Sequence, residues 1–425
     1  MSNKEPPIPL ALKTSINRSA SHLSPQSPSS TLTPPLTPTT PGDDLAPTIG
    51  QNAPQQQIPV LKVLDDEKIE GDQTKVQTPG LLPLEFSYDL EPHRDAGGNL
   101  IEYGSGAWSA VYKATSQWIP TTQGFPPTPP PRRPSSSASP SLLAVKSPLR
   151  RDAHAILRAE ARLLSRLSEI PGAEHHIVPF HGFISSSHSL VLSALPLSLS
   201  EYISTQAFSA QEKFSTKTMF DPVLGMPRWL KLSRELVNGL EWLHSCGQLV
   251  HGDIKPQNIL LRPRKVNISC PKEDVLPYEP LYIDFTSSYD PSTIEPSPHG
   301  PSPSLSALTP PFAAPELLTV KALKSPDVVQ SKGSDVFSLA VTLLAAVTGD
   351  LLLYPGSSSM QRLAMSRDGH RVLEHVRSGV HGSRLPTRGT VEKILSPAVV
   401  KDPESRIKTA DWLLRIDDVI TAEDL

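Results

Sequence analysis

The sequence predicts an α+β fold, and three observations carry that prediction. Short apolar runs of strand length recur along the chain, among them Leu142 to Lys146, Ile259 to Leu261 and Leu281 to Ile283. Leu232, Leu236, Leu240 and Leu243 recur at helical spacing and stop at Gly247, a favoured helix end. Val336 to Thr348 is helical in period and apolar almost all round, which suits a helix enclosed by a large helical body.

Composition bounds how much of the chain can be core. Proline supplies 47 of 425 residues and aromatic residues only 5%. No aromatic residue precedes Phe86, and the first sixty residues alternate Pro with Ser and Thr. Such sequence cannot bury enough apolar surface to offset its ordering entropy, so residues 1–80 are expected to be a disordered tail. Mixed globular sequence starts at Leu81 and is expected to run to residue 421. Two Pro-rich stretches, 117–141 and about 290–311, are expected to be surface loops, because proline is excluded from sheet interiors. No internal repeat is present.

The net charge of −3 and a pI near 6.5 argue against nucleic acid or an anionic membrane as a main partner. No run reaches the roughly 20 apolar residues that span a bilayer, and the N-terminus has no hydrophobic signal core. Two cysteines, Cys246 and Cys270, form no metal motif, and their scarcity suits a reducing compartment. The expected location is intracellular, in the cytoplasm and/or nucleus.

In chain order, Gly104-Ser105-Gly106 lies between strand-like residues. Lys146 ends an apolar strand, and Asp152 to Leu167 has helical period with Glu160 on it. After the leucine-striped helix, Leu249-Val250 is a short apolar run leading into a polar loop. That loop sets Asp253, Lys255 and Asn258 at fixed offsets, an acid, a base and an amide together. A second carboxylate, Asp284, follows the Leu281 to Ile283 run.

The segment His251-Gly252-Asp253-Ile254-Lys255-Pro256-Gln257-Asn258 resembles the catalytic loop of protein kinases. The rest of the chain is similar to that family in matching order: Gly104-Ser105-Gly106 to the glycine-rich loop, Ala144-Val145-Lys146 to the lysine strand, Glu160 with Leu164 and Leu167 to the following helix, Asp284-Phe285-Thr286 to Asp-Phe-Gly, and Ala314-Pro315-Glu316 to Ala-Pro-Glu. The resemblance implies a two-lobed kinase fold over residues 81–421. Its small lobe, 81–193, would hold mostly antiparallel strands plus one helix; its larger helical lobe, 194–421, would carry a long activation segment at 284–316.

It also implies ATP and Mg2+ as cofactors and protein substrates as partners. Gly104, Ser105 and Gly106 would approach the phosphates, Val111 and Ala144 would cover the adenine, and Lys146, paired with Glu160, would hold the α and β phosphates. Leu192 would be the gatekeeper, with backbone groups of Ser193 to Leu195 at the adenine edge. Asp253 would take the acceptor proton and Lys255 steady the γ-phosphoryl group, while Asn258 and Asp284 bind magnesium. Glu316 is expected to pair with Arg406, and Asp335 to hold the catalytic loop backbone. Lys255, together with Thr309 seven residues before Glu316, resembles the serine/threonine branch.

The chain departs from the family pattern at three places near the chemistry. Ser109 stands for the third glycine, Gly252 for an arginine that pairs with a phosphorylated activation loop, and Thr286 for the glycine after Asp-Phe. Gly252 cannot make such a pair, so activity is expected not to require that phosphate. The alternative is a pseudokinase scaffold that binds nucleotide or partners without phosphoryl transfer. In the tail, Ser24-Pro25, Ser27-Pro28, Thr33-Pro34, Thr37-Pro38 and Thr40-Pro41 are candidate sites for proline-directed kinases, although composition alone also yields such dipeptides.

Overall fold

A computed structural model describes residues 82–116, 141–264, 276–292, 308–324, 329–354 and 358–423, all within the unit Val76–Leu425. The tail expected at 1–80 and the Pro-rich insertion at 117–140 lie outside the described residues, as do Cys270 and residues 293–307.

The first part of the chain builds a six-stranded antiparallel sheet. Its strands are β1 (Glu91–Pro92), β2 (Glu102–Ser105), β3 (Ser109–Ser116), β4 (Ser141–Pro148), β5 (Phe180–Ile184) and β6 (Ser189–Ser193). They pair in the order β1-β3-β4-β6-β5, with β2 also on β3. Residues directly opposite in an antiparallel pair share a face, as do residues two apart along a strand. The register sets Val111 opposite Lys146, Lys146 opposite Leu190 and Ala144 opposite Leu192, so all five lie on one face. Against the sheet packs α1 (Ala153–Ser168), where Leu157, Ala161, Leu164 and Leu167 are buried at helical spacing.

Past Ser193 the chain crosses to a helical body. Strand β7 (Leu197–Ser198) pairs with β8 (Ile259–Pro263), which pairs with β9 (Tyr278–Tyr282), all antiparallel. Helix α2 (Leu199–Glu212) starts at a Ser198/Glu201 capping box. Helix α3 (Met226–Ser245) buries Leu232, Leu236, Leu240 and Leu243, the stripe read from the sequence. Leu249-Val250 is not a strand; Val250 makes one isolated bridge, to Tyr289, because the chain turns at once into the polar loop.

Two short helices frame the most buried one: α4 (Val320–Lys324), α5 (Lys332–Thr348) and α6 (Ser359–Arg367). Between its Ser331/Ser334 capping box and Gly349, whose φ of 76° closes the C-terminus, α5 is buried almost all round. Helices α7 (Val372–Ser378), α8 (Thr390–Leu395) and α9 (Thr409–Glu423) complete the body, with Trp412 fully buried and its indole N–H donating to Ile394 O. Among the described residues no helix is long and apolar enough to cross a membrane.

Candidate active site

The site forms where the sheet, α1 and the loops flanking β8 and β9 converge. Lys146 Nζ donates to both carboxylate oxygens of Glu160 and to Asp284 Oδ1, each at 2.8 Å. Glu160 Oε1 also accepts the Phe285 backbone N–H at 3.0 Å, and the Phe285 ring is buried. One helix therefore places a carboxylate that fixes both the lysine of β4 and the backbone after Asp284.

Burial works against a charged Lys146, but Asp284 and Glu160 outweigh it and raise its pKa, keeping the ammonium charged. Burial also pushes Asp284 upward, yet Lys146 and the Thr286 hydroxyl pull it far below the ordinary aspartate range. In Glu160 burial wins over Lys146 and the value rises. The Asp284 side chain keeps 35% of its exposure, so this carboxylate still reaches solvent.

The loop that begins at His251 is held from behind by Asp335 of α5. Its two oxygens accept the backbone N–H of His251 at 2.7 Å and of Gly252 at 2.9 Å, and His244 Nε2 lies 3.1 Å from Oδ2. His251 Nε2 faces Ile283 O at 3.1 Å; a carbonyl only accepts, so Nε2 carries the proton and Nδ1 is left to accept the Asp253 N–H at 3.3 Å. Burial lowers the pKa of His251, consistent with that neutral tautomer. Its ring packs 4.9 Å from that of Phe285.

Asp253 Oδ2 accepts from Lys255 Nζ at 2.8 Å and from Asn258 Nδ2 at 2.9 Å, and Asn258 Nδ2 also donates to Asp253 O. Oδ1 of Asp253 has no hydrogen-bond partner among the described residues. Burial raises the Asp253 pKa against the pull of Lys255. Lys255 Nζ reaches Thr309 Oγ1 at 3.1 Å, which ties the loop to the end of the 284–316 segment. That end is no loose surface loop: Pro311 and Phe312 are buried. Arg406 forks onto Glu316 at 2.8 and 2.7 Å with its side chain fully buried.

At the other end of the site, Gly104, Ser105 and Gly106 lie exposed at the β2–β3 turn, with Gly104 opposite Val111. Neither glycine has positive φ, and a Cβ at either would meet no atom within 4 Å. Folding therefore does not require glycine at these positions; close approach of a ligand would. Ser109, which stands in place of the third glycine of the resembled loop, is buried at the start of β3. Leu192 lies on β6, and Ser193 N–H and Ala194 N–H are spent on Pro179 O and Leu142 O. Leu195 N–H and C=O have no partner among the described residues.

Several contacts around the site had no signal in the sequence. Arg166 of α1 pairs with Asp290 at 3.0 Å, Tyr289 OH donates to Gln330 O, and Gln330 Nε2 donates to Gly252 O at 3.2 Å. Each joins residues far apart in the chain, and Asp290 opens a Pro-rich stretch that reads as featureless.

The family model of the protein kinase domain matches residues 141–415, so the glycine turn precedes the matched region. The chain is 24% identical over 237 residues to Serine/threonine-protein kinase A of Synechocystis sp., covering 54% of this chain and 39% of that protein. It is 26% identical over 207 residues to Serine/threonine-protein kinase TOS3 of Saccharomyces cerevisiae, covering 47% and 34%. The matches thus span well under half of either relative's length. With the family model covering most of this chain, and the lysine, the helix glutamate and the two aspartates assembled as described, the chain belongs to the protein kinase family.

Proposed function

We propose that this chain transfers the γ-phosphoryl group of ATP to serine and threonine hydroxyls of proteins, with Mg2+ as its metal. The observation that carries this reading is the double anchorage of Lys146, 2.8 Å from Glu160 and 2.8 Å from Asp284. It joins the phosphate-holding and metal-holding groups without further rearrangement, and phosphoryl transfer depends chiefly on such positioning. Val111, Ala144 and Leu192 offer an apolar wall for the adenine, and the unpartnered Leu195 groups offer its edge a donor and an acceptor.

The metal donors fit magnesium. Asn258 spends its NH2 on Asp253 and keeps an oxygen, and Asp284 keeps Oδ2 clear of the Lys146 and Thr286 bonds. Both are hard oxygen ligands. When bound, magnesium neutralises charge on the phosphate oxygens.

Asp253 Oδ1 is the oxygen left to receive the acceptor proton as the new O–P bond forms and the bond to the β-phosphate bridging oxygen breaks, releasing ADP. Lys255, oriented by Asp253 and Thr309, presents its charge to the transferred group. The Lys255–Thr309 contact and the names of the relatives support Ser/Thr acceptors.

A second reading rests on Thr286, whose hydroxyl donates to Asp284 Oδ1 at 2.8 Å and so competes for a metal-binding oxygen. On that reading the chain is a scaffold that binds nucleotide or partners without transfer. Labelled γ-phosphate supplied as Mg-ATP to generic protein acceptors decides between them. Transfer to Ser/Thr should fall about 100- to 10,000-fold in Asp253→Asn, the range for loss of a positioned base. Nucleotide binding with no transfer by the wild type would favour the scaffold.

A further inference from the structure

We propose that the outward face of α1 docks an acidic, extended segment of a partner protein. His154, Arg158, Arg162 and Arg166 follow one another at i, i+4 along this helix. At 100° per residue they occupy an arc of about 120°, and they span about 18 Å of helix axis. Arg158 and Arg162 are exposed and have no acidic partner among the described residues; Ala155 and Ala159, also exposed, leave them uncovered.

A merely solvated helix face normally alternates signs at this spacing, because like charges at i, i+4 destabilise the helix. Here one sign repeats, in a chain whose net charge is −3. Asp152 at the N-cap makes no side-chain cap and pairs with Arg150, the first turn holds no acid, and the one acid within the helix, Glu160, is buried on Lys146, so no acid of α1 lies on this face. The facing imidazole of His188 stacks on His154 with centroids 4.0 Å apart. Burial, then His154 and Arg158, push His188 toward its neutral form, a local sign of the same positive field.

A carboxylate already sits at one end of the ladder. Arg166 Nη1 holds Asp290 at 3.0 Å, while its Nη2 is buried without a partner. Spacing selects the form of the ligand. Successive rungs rise by about 6 Å, and alternate side chains of an extended strand stand about 6.6 Å apart. A segment with Asp or Glu at every second position therefore matches Arg158 and Arg162 rung for rung.

The test uses the full chain and a decapeptide alternating Glu and Thr, with its Gln-for-Glu counterpart, read by fluorescence anisotropy at low and physiological salt. The acidic peptide should bind, weaken with salt and bind about tenfold or more weakly to Arg158→Glu/Arg162→Glu. The Gln peptide should not bind, and Arg371→Glu, elsewhere on the surface, should change nothing. Thermal melts monitor folding, with Arg158→Gln/Arg162→Gln as the milder replacement. No binding by the wild type, unchanged binding by the double variant, or preference for heparin or phosphatidylserine vesicles over the peptide would each overturn the proposal. Because binding is read without turnover, its outcome is separate from that of the phosphotransfer assay.

Discussion

Arg166 Nη1 lies 3.0 Å from Asp290 Oδ2, tying the last turn of α1 to the stretch that follows Asp284. The same stretch is pinned by Ser288 Oγ donating to His251 O at 2.8 Å and by backbone bonds between Tyr289 and Val250. A carboxylate thus anchors this segment to the helix that carries Glu160. Phosphatase treatment is expected to leave phosphotransfer intact. Asp290→Asn should lower kcat/KM about fivefold, since an ion pair with a partly exposed arginine is worth no more than about 1 kcal/mol. Asp290→Glu should retain most activity, and silencing by phosphatase would contradict the account.

Gly252 has φ 81°, and a Cβ there would lie 2.7 Å from Ser287 O. Gly252→Ala should cost about 1–3 kcal/mol of stability, from the left-handed backbone and the clash together. Urea unfolding checks this, and an unchanged midpoint would remove Gly252 from the list of constrained positions.

Thr286 is β-branched and its hydroxyl holds Asp284, whose own φ is 63°. Inhibitors that require the Asp284-Phe285 pair to flip should therefore bind poorly, and Thr286→Gly should improve their affinity while leaving unflipped-state inhibitors unchanged. Equal affinity of the wild type for both inhibitor types would contradict this.

Burial holds the Asp253 carboxyl above the ordinary aspartate value. In the proposed role of proton acceptor it must be ionised, so kcat/KM should fall on acidification at a higher pH than an unperturbed aspartate would dictate. The sign for stability is opposite: a carboxyl whose folded pKa is raised favours the fold as it protonates. Asp284, depressed by Lys146, contributes stability above the ordinary aspartate value and loses it only as pH falls toward its own lower pKa. Activity should thus be lost on acidification before the fold is, which parallel activity and circular dichroism titrations measure.

What the sequence determined alone was the set of residues whose offsets are local. Asp253, Lys255 and Asn258 sit within one loop, so their spacing is itself the geometry, and the leucine stripe of α3 and the greasy run of α5 declare burial by period. The pairings of Lys146 with Glu160 and of Glu316 with Arg406 were legible only through resemblance to a family. So was the hold of Asp335 on the backbone of His251 and Gly252, 84 and 83 residues away. Tertiary structure decided the rest. The neutral tautomer of His251 depends on Ile283 O, and the Arg166–Asp290 anchor closes 124 residues of chain. Such contacts carry no periodicity or motif. They exist because packing of α1 and α5 brings distant polar groups into low dielectric, where each must find a partner.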